Sequence, residues 1–168
     1  KEHIGILGHS MGGMAVWTTL MYYQTQEINK VQAGMPMGFL MFSNDETFQM
    51  IDANVGIDYA KYDEGGYANA EGTGILTPSS PEVLAAINSI YPEEKKLTSA
   101  EIGKYYGSAA DRTLRVVYNP SEIHPGMHFS SESVSYVVDF FSACFDLSPS
   151  IPSTNQVWFL KELFNLLG

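Results

Sequence analysis

Ile4-Gly5-Ile6-Leu7-Gly8-His9-Ser10-Met11-Gly12-Gly13 decides how the rest of the chain is read. Ile4 to Leu7 is a short apolar run of strand length. From Gly13 onward the spacing of apolar residues becomes helical. Between them stands Gly8-x-Ser10-x-Gly12, a strand-to-helix turn with a serine at its apex. Such a turn lifts the serine hydroxyl away from the backbone. The positions two before and two after the serine crowd one another, which glycine relieves, and Gly13 lets the new helix lie close to the sheet. The helix N-terminus points unpaired N–H groups toward the serine, where they can stabilise a developing anion.

The octad Ile6-Leu7-Gly8-His9-Ser10-Met11-Gly12-Gly13 resembles the nucleophile elbow of the α/β-hydrolase superfamily, in the form found in esterases and lipases. The resemblance continues, with looser motifs, to Phe145. It implies an α/β fold, a mostly parallel sheet with flanking helices, and a Ser–acid–His triad in that chain order. In that family the strand before the elbow stands midway through the sheet. The chain is therefore expected to be a partial hydrolase fold with its N-terminal strands missing. Residues 1–146 form the hydrolase part, 65–112 a probable insertion at the site mouth, and 147–168 a linker and hydrophobic terminal helix.

The remaining motifs are taken in chain order. Met14 to Gln26 reads as a helix with Val16, Trp17 and Leu20 on its buried face. Val31 to Met35 reads as a buried strand ended by Pro36, which has no N–H for a ladder. Met37 to Phe42 is strongly apolar, and is either core or the border of an acyl pocket through Phe39. Asn54 to Ala60 reads as the next strand. It leads into Lys61-Tyr62-Asp63-Glu64, which resembles the loop that delivers the triad acid, although Ala60 stands where glycine is frequent. Asp63 matches the acid and Glu64 is the alternate.

Ser80-Pro81 opens a helix to Tyr91. Thr98 to Glu101 is a capping box expected to open a second short helix to Tyr106. Thr113 to Tyr118 reads as a strand. Pro120 to His124 has the spacing of the family's histidine loop, and His128 is the alternate histidine. His124 and His128 could instead suit a metal at His-x-x-x-His spacing on a helix, but Pro125 and Gly126 oppose that helix. Val134, Val137, Val138, Phe141 and Phe145 are expected to pack a final helix on the sheet, and Cys144 reads as core.

The implied chemistry is cleavage of an ester, thioester or related acyl bond. Ser10 would be nucleophile, His124 base and Asp63 its orienter, with the Met11 backbone N–H donating to the oxyanion and no cofactor required. His9, Phe39 and Met127 are candidates for contact with an acyl or lipid-like small-molecule substrate. The second oxyanion donor of the family comes from a loop outside this sequence, so the chain alone is expected to be weakly active or inactive. The alternative is a non-catalytic or regulatory hydrolase-like domain, in one form the soluble part of a membrane protein.

Bulk properties narrow the partners. The 168 residues carry 19 acidic and nine basic side chains, a formal charge of −10. Such a surface repels a phosphate backbone and argues against nucleic-acid binding. The single cysteine excludes an internal disulfide. Self-association of an incomplete fold is one expectation. The apolar tail Val157 to Leu167 is another feature, too short to span a bilayer. It is expected to dock on the domain or to attach it to a membrane surface. The compartment stays open between cytoplasm and membrane.

Overall fold

The computed structural model describes residues 4–41, 43–63 and 74–167, the side chain of Ile75 excepted. The chain has an α/β fold. Four strands, β1 (Ile4–His9), β2 (Val31–Met37), β3 (Asn54–Asp58) and β4 (Arg115–Tyr118), form one all-parallel sheet in the order β1-β2-β3-β4. Among the described residues five α-helices accompany them: α1 (Met11–Tyr23), α2 (Asp45–Gln49), α3 (Pro81–Asn88), α4 (Ser131–Cys144) and α5 (Trp158–Leu167).

Both faces of the sheet are covered, as parallel sheets require. On one face Val16, Trp17 and Leu20 of α1 join Phe48 of α2, Val83 and Ile87 of α3, and Val55, Ile57 and Val117 of the sheet. On the other, Phe140 of α4 packs with Ala33, Met35, Val116 and Tyr118. Gly56 makes this second contact so close that a Cβ there would stand 3.0 Å from the Phe140 ring. The expectation for α4 holds in the main, since Val137, Phe141 and Phe145 pack against this core, with Phe140 added to it. Phe140 is fully buried, whereas Val138 is exposed. The slot that selects Phe140 is cut by a glycine on another element.

Three further expectations change. Pro36 does not end its strand but pairs with Gly8 inside β2. The ladder resumes past it, with Met37 O accepting from Ser10 N–H and Gly38 N–H donating to Asp58 O, both at 2.8 Å. Residues 98–106 form no helix. The N–H groups that would open one are taken elsewhere, Ala100 by Pro78 O and Glu101 by the Tyr106 hydroxyl. Tyr106 bridges Arg115 on the outer edge of β4 instead. The tail does form a helix, α5, yet none of its described residues is buried. With α1 and α3 on one face of the sheet and α4 on the other, no sheet face is left for it.

The sheet positions a site at its carboxyl end by extending its own ladder. Beyond β3 and β4, Tyr59 N–H donates to Tyr118 O, Lys61 N–H to Pro120 O and Tyr62 N–H to Glu122 O. Two loops thus leave side by side and deliver Asp63 and His124 one and two residues after the last of these bonds.

Candidate functional site

Ser10 is the N-cap of α1 with φ 57° and ψ −117°, left-handed φ in a residue that is not glycine. Such a conformation costs about 1–3 kcal/mol and has to be imposed by its surroundings. Gly8 shows how. A Cβ on it would stand 2.3 Å from Gly12 O. A Cβ on Gly12 would meet nothing, so only the first of the two glycines is sterically required. Gly13 is required for a different contact: its Cβ would lie 2.8 Å from Met37 O and 2.9 Å from Phe39 Cβ.

The Ser10 hydroxyl does not cap its helix. The other N-cap residues with small polar side chains do: Asn44 accepts from Thr47 N–H, Ser80 from Val83 N–H and Ser130 from Ser133 N–H, all three from extended backbone. A side-chain cap is worth about 1 kcal/mol. Ser10 forgoes it and holds its hydroxyl at the edge of a cavity of about 160 Å³ lined by Ser10, Met11, Gly38 and Phe39. The Met11 N–H belongs to the first turn of α1, where amides have no partner within the helix.

Asp63 and His124 meet. Asp63 Oδ2 lies 2.6 Å from His124 Nδ1, with the carboxylate side chain wholly buried and the imidazole slightly exposed. A carboxylate only accepts, so Nδ1 carries the proton and a neutral His124 holds its lone pair on Nε2. Asn119 braces the acid's loop, donating to Tyr59 O at 2.7 Å and Gly74 O at 3.0 Å. The Ser10 hydroxyl makes no hydrogen bond to the His124 ring. The two share a neighbour, Gly38, whose Cβ would stand 2.9 Å from His124 Cε1 while its backbone lines the Ser10 cavity.

The other expected residues fall as follows. His9 Nε2 donates to His124 O at 2.9 Å, and its ring lies 4.7 Å from that of His124 and 5.0 Å from that of His128. Burial holds the His9 imidazole below its usual value, the His124 hydrogen bond opposes this, and the neighbouring histidines add to the lowering. His128 packs on Phe129 at 4.0 Å and forms no ion pair with a described carboxylate. Phe39 lines the cavity. Met127, expected at the substrate, does not: the 3-10 turn His124–Phe129 points it inward, where it is fully buried with Met37 and Ala60. Glu64 lies outside the described residues. Met11 on the cavity wall is an exposed apolar side chain.

Two further residues stand out at this end of the sheet. Gly38, with φ 60°, leaves the gap that both histidine rings fill; its position just after an apolar strand was the available signal. Asp58 ends β3 fully buried, with neither carboxylate oxygen hydrogen-bonded. Burial pushes its carboxyl up to about 8; nearby Ser133 offsets part of the rise without reaching hydrogen-bond geometry, and Glu132 adds to it.

A larger cavity, about 450 Å³, lies between α4 and residues 149–153, and has neither a histidine nor a strained serine on its walls. Among the described residues no group of three His, Cys, Asp or Glu side chains could hold a metal ion. No protein-family model matches the chain, and no curated protein or solved structure does either.

Proposed function

We propose that this chain is a serine hydrolase of the α/β-hydrolase kind, cleaving an ester, thioester or related acyl bond through Ser10, His124 and Asp63. The observation that carries this reading is the Ser10 backbone at φ 57° with its hydroxyl withheld from helix capping. A serine held in a strained conformation, next to a histidine oriented by a buried carboxylate, is the arrangement nucleophilic acyl transfer needs.

In this mechanism Ser10 Oγ attacks the substrate carbonyl carbon and its proton passes to His124 Nε2. Asp63 keeps the imidazole in the Nδ1–H tautomer and balances the imidazolium that forms. The Met11 N–H donates to the oxyanion, a contribution worth about 3 kcal/mol of barrier in comparable sites. Collapse expels the alcohol or thiol, which takes the proton back from His124. Water, deprotonated by the same imidazole, then releases the acid and restores Ser10. Met11 and Phe39 on the cavity wall favour an acyl or lipid-like substrate over a charged one.

A reading without turnover is favoured by one observation, the missing hydrogen bond between Ser10 and the His124 ring. Such contacts are often long in unliganded enzymes and tighten with substrate. Exposed α5 favours the version in which the domain is held at a membrane surface; no described helix is long and apolar enough to cross a membrane. Hydrolysis of p-nitrophenyl esters of increasing chain length tests both. The hydrolase reading expects turnover, even if slow, that is lost in Ser10→Ala and His124→Ala and kept in His128→Ala. Turnover equal in Ser10→Ala and wild type would refute it.

A further inference from the structure

The histidine beside the nucleophile has its own task. His9 ends β1 one residue before Ser10, and its side chain reaches 115 positions along the chain to a backbone atom of the residue proposed as general base. The bond is specific in direction. A carbonyl accepts only, so His9 must present Nε2–H to His124 O. Of the three expected triad residues, Asp63 and His124 are joined directly, and the Ser10 hydroxyl makes no hydrogen bond to the His124 ring. Asp63 fixes the tilt of the imidazole but not the distance between the His124 turn and the Ser10 turn. His9 spans that gap.

We propose that His9 is a positioning residue, clamping the His124 turn to the nucleophile turn through its Nε2–H bond to the His124 carbonyl. The proposal rests on the hydrolase reading above and adds to it the part that sets the serine–imidazole separation. Gly38 completes the clamp. Its missing side chain leaves space for both rings, since a Cβ there would stand 2.9 Å from His124 Cε1 and 3.3 Å from His9 Cδ2. The clamp therefore has three parts: a donor on β1, an acceptor on the 3-10 turn, and a glycine floor after β2.

A misplacement of about 1 Å between reacting groups can cost about a hundredfold in rate. Labelling of Ser10 by a fluorophosphonate, measured as a second-order rate on the full chain, is therefore expected to fall between about tenfold and a hundredfold in His9→Ala. His9→Gln, whose side-chain amide donates from a similar place, restores the rate to within about threefold of wild type. His9→Phe, which keeps the ring but has no donor, stays as slow as His9→Ala. A role in packing alone predicts the reverse order, with Phe rescuing better than Gln, and that order would overturn the clamp. So would a His9→Ala rate equal to wild type.

A second measurement does not depend on reactivity. Nitrogen-15 NMR of the imidazoles is expected to find His9 as the Nε2–H tautomer, with slowed exchange of that proton, and to find the His124 Nδ1–H resonance broadened in His9→Ala but sharp in His9→Gln. His9 as the Nδ1–H tautomer would overturn the clamp whether or not Ser10 reacts. Failure of the wild type to label, with the NMR result as expected, would count against the nucleophile and leave the clamp standing.

Discussion

The two ends of the same sheet bury polar groups to opposite ends. At the amino end, Arg115 is almost entirely buried and gives its guanidinium to the backbone carbonyls of Ala53 and Leu114 at 2.9 and 3.0 Å. Asn54 accepts from Leu114 N–H and donates to Ala109 O. Arg112 holds Asn29 O together with the backbone and carboxylate of Asp52. Most of these bonds go to main chain, although Arg115 Nε is buried without a partner, and the result is a set of loops pinned beneath the strands. At the carboxyl end Asp63 binds the His124 ring, the serine refuses its cap, and Asp58 keeps both oxygens without partners. Saturated polar groups rigidify. Groups left strained or partly partnered retain something to offer a ligand. In open parallel sheets ligands bind at the carboxyl ends of strands, and here the difference appears in the hydrogen bonding itself.

The contrast can be broken from either end. The largest effect is expected from Asp63→Asn, which keeps the shape but reverses the tautomer preference of His124. The fluorophosphonate labelling rate should drop about a thousandfold or more, with little change in the urea midpoint. Arg115→Met should do the opposite. It strands the carbonyl of Ala53, costing about 2 kcal/mol of stability by urea denaturation, while the labelling rate of the folded protein stays at the wild-type value. A fall in labelling without a loss of stability would dissolve the division of labour between the two ends.

Asp58 sharpens the comparison in a smaller way. Its folded carboxyl keeps its proton up to about pH 8, whereas the unfolded chain releases it near pH 4. Between those values the folded state binds the extra proton, so stability declines as pH rises, with a slope approaching 1.4 kcal/mol per unit, and levels off above pH 8. Asp58→Asn removes this contribution. Urea midpoints of the variant and wild type should diverge steadily from pH 5 to pH 8, the variant gaining; parallel curves would contradict the burial argument.

What the sequence disclosed follows from how far each feature depends on remote contacts. The β1–turn–α1 unit was legible because its glycines, its serine and its periodicity are local. Asp63 and His124 were legible by spacing, since each loop follows a strand with a recognisable end. The helix expected over 98–106 failed because its capping box competes with the Tyr106 hydroxyl and Pro78 O, partners the local sequence does not reveal. The full burial of Phe140 was not legible for the same reason, as Gly56 on β3 makes its slot, whereas Val137, Phe141 and Phe145 pack as their spacing predicted. β2 continues through Pro36 because the bonds just past that residue, from Ser10 to Met37 O and from Gly38 to Asp58 O, hold the strand without its N–H.

The central claim is that Ser10 is a nucleophile held poised by its own backbone. Mass mapping of the chain after fluorophosphonate treatment addresses it directly. The account predicts one phosphonyl adduct, on the peptide containing Ser10, absent from Ser10→Ala and slowed in His124→Ala. An adduct on a different residue, or one that persists unchanged in Ser10→Ala, would contradict it.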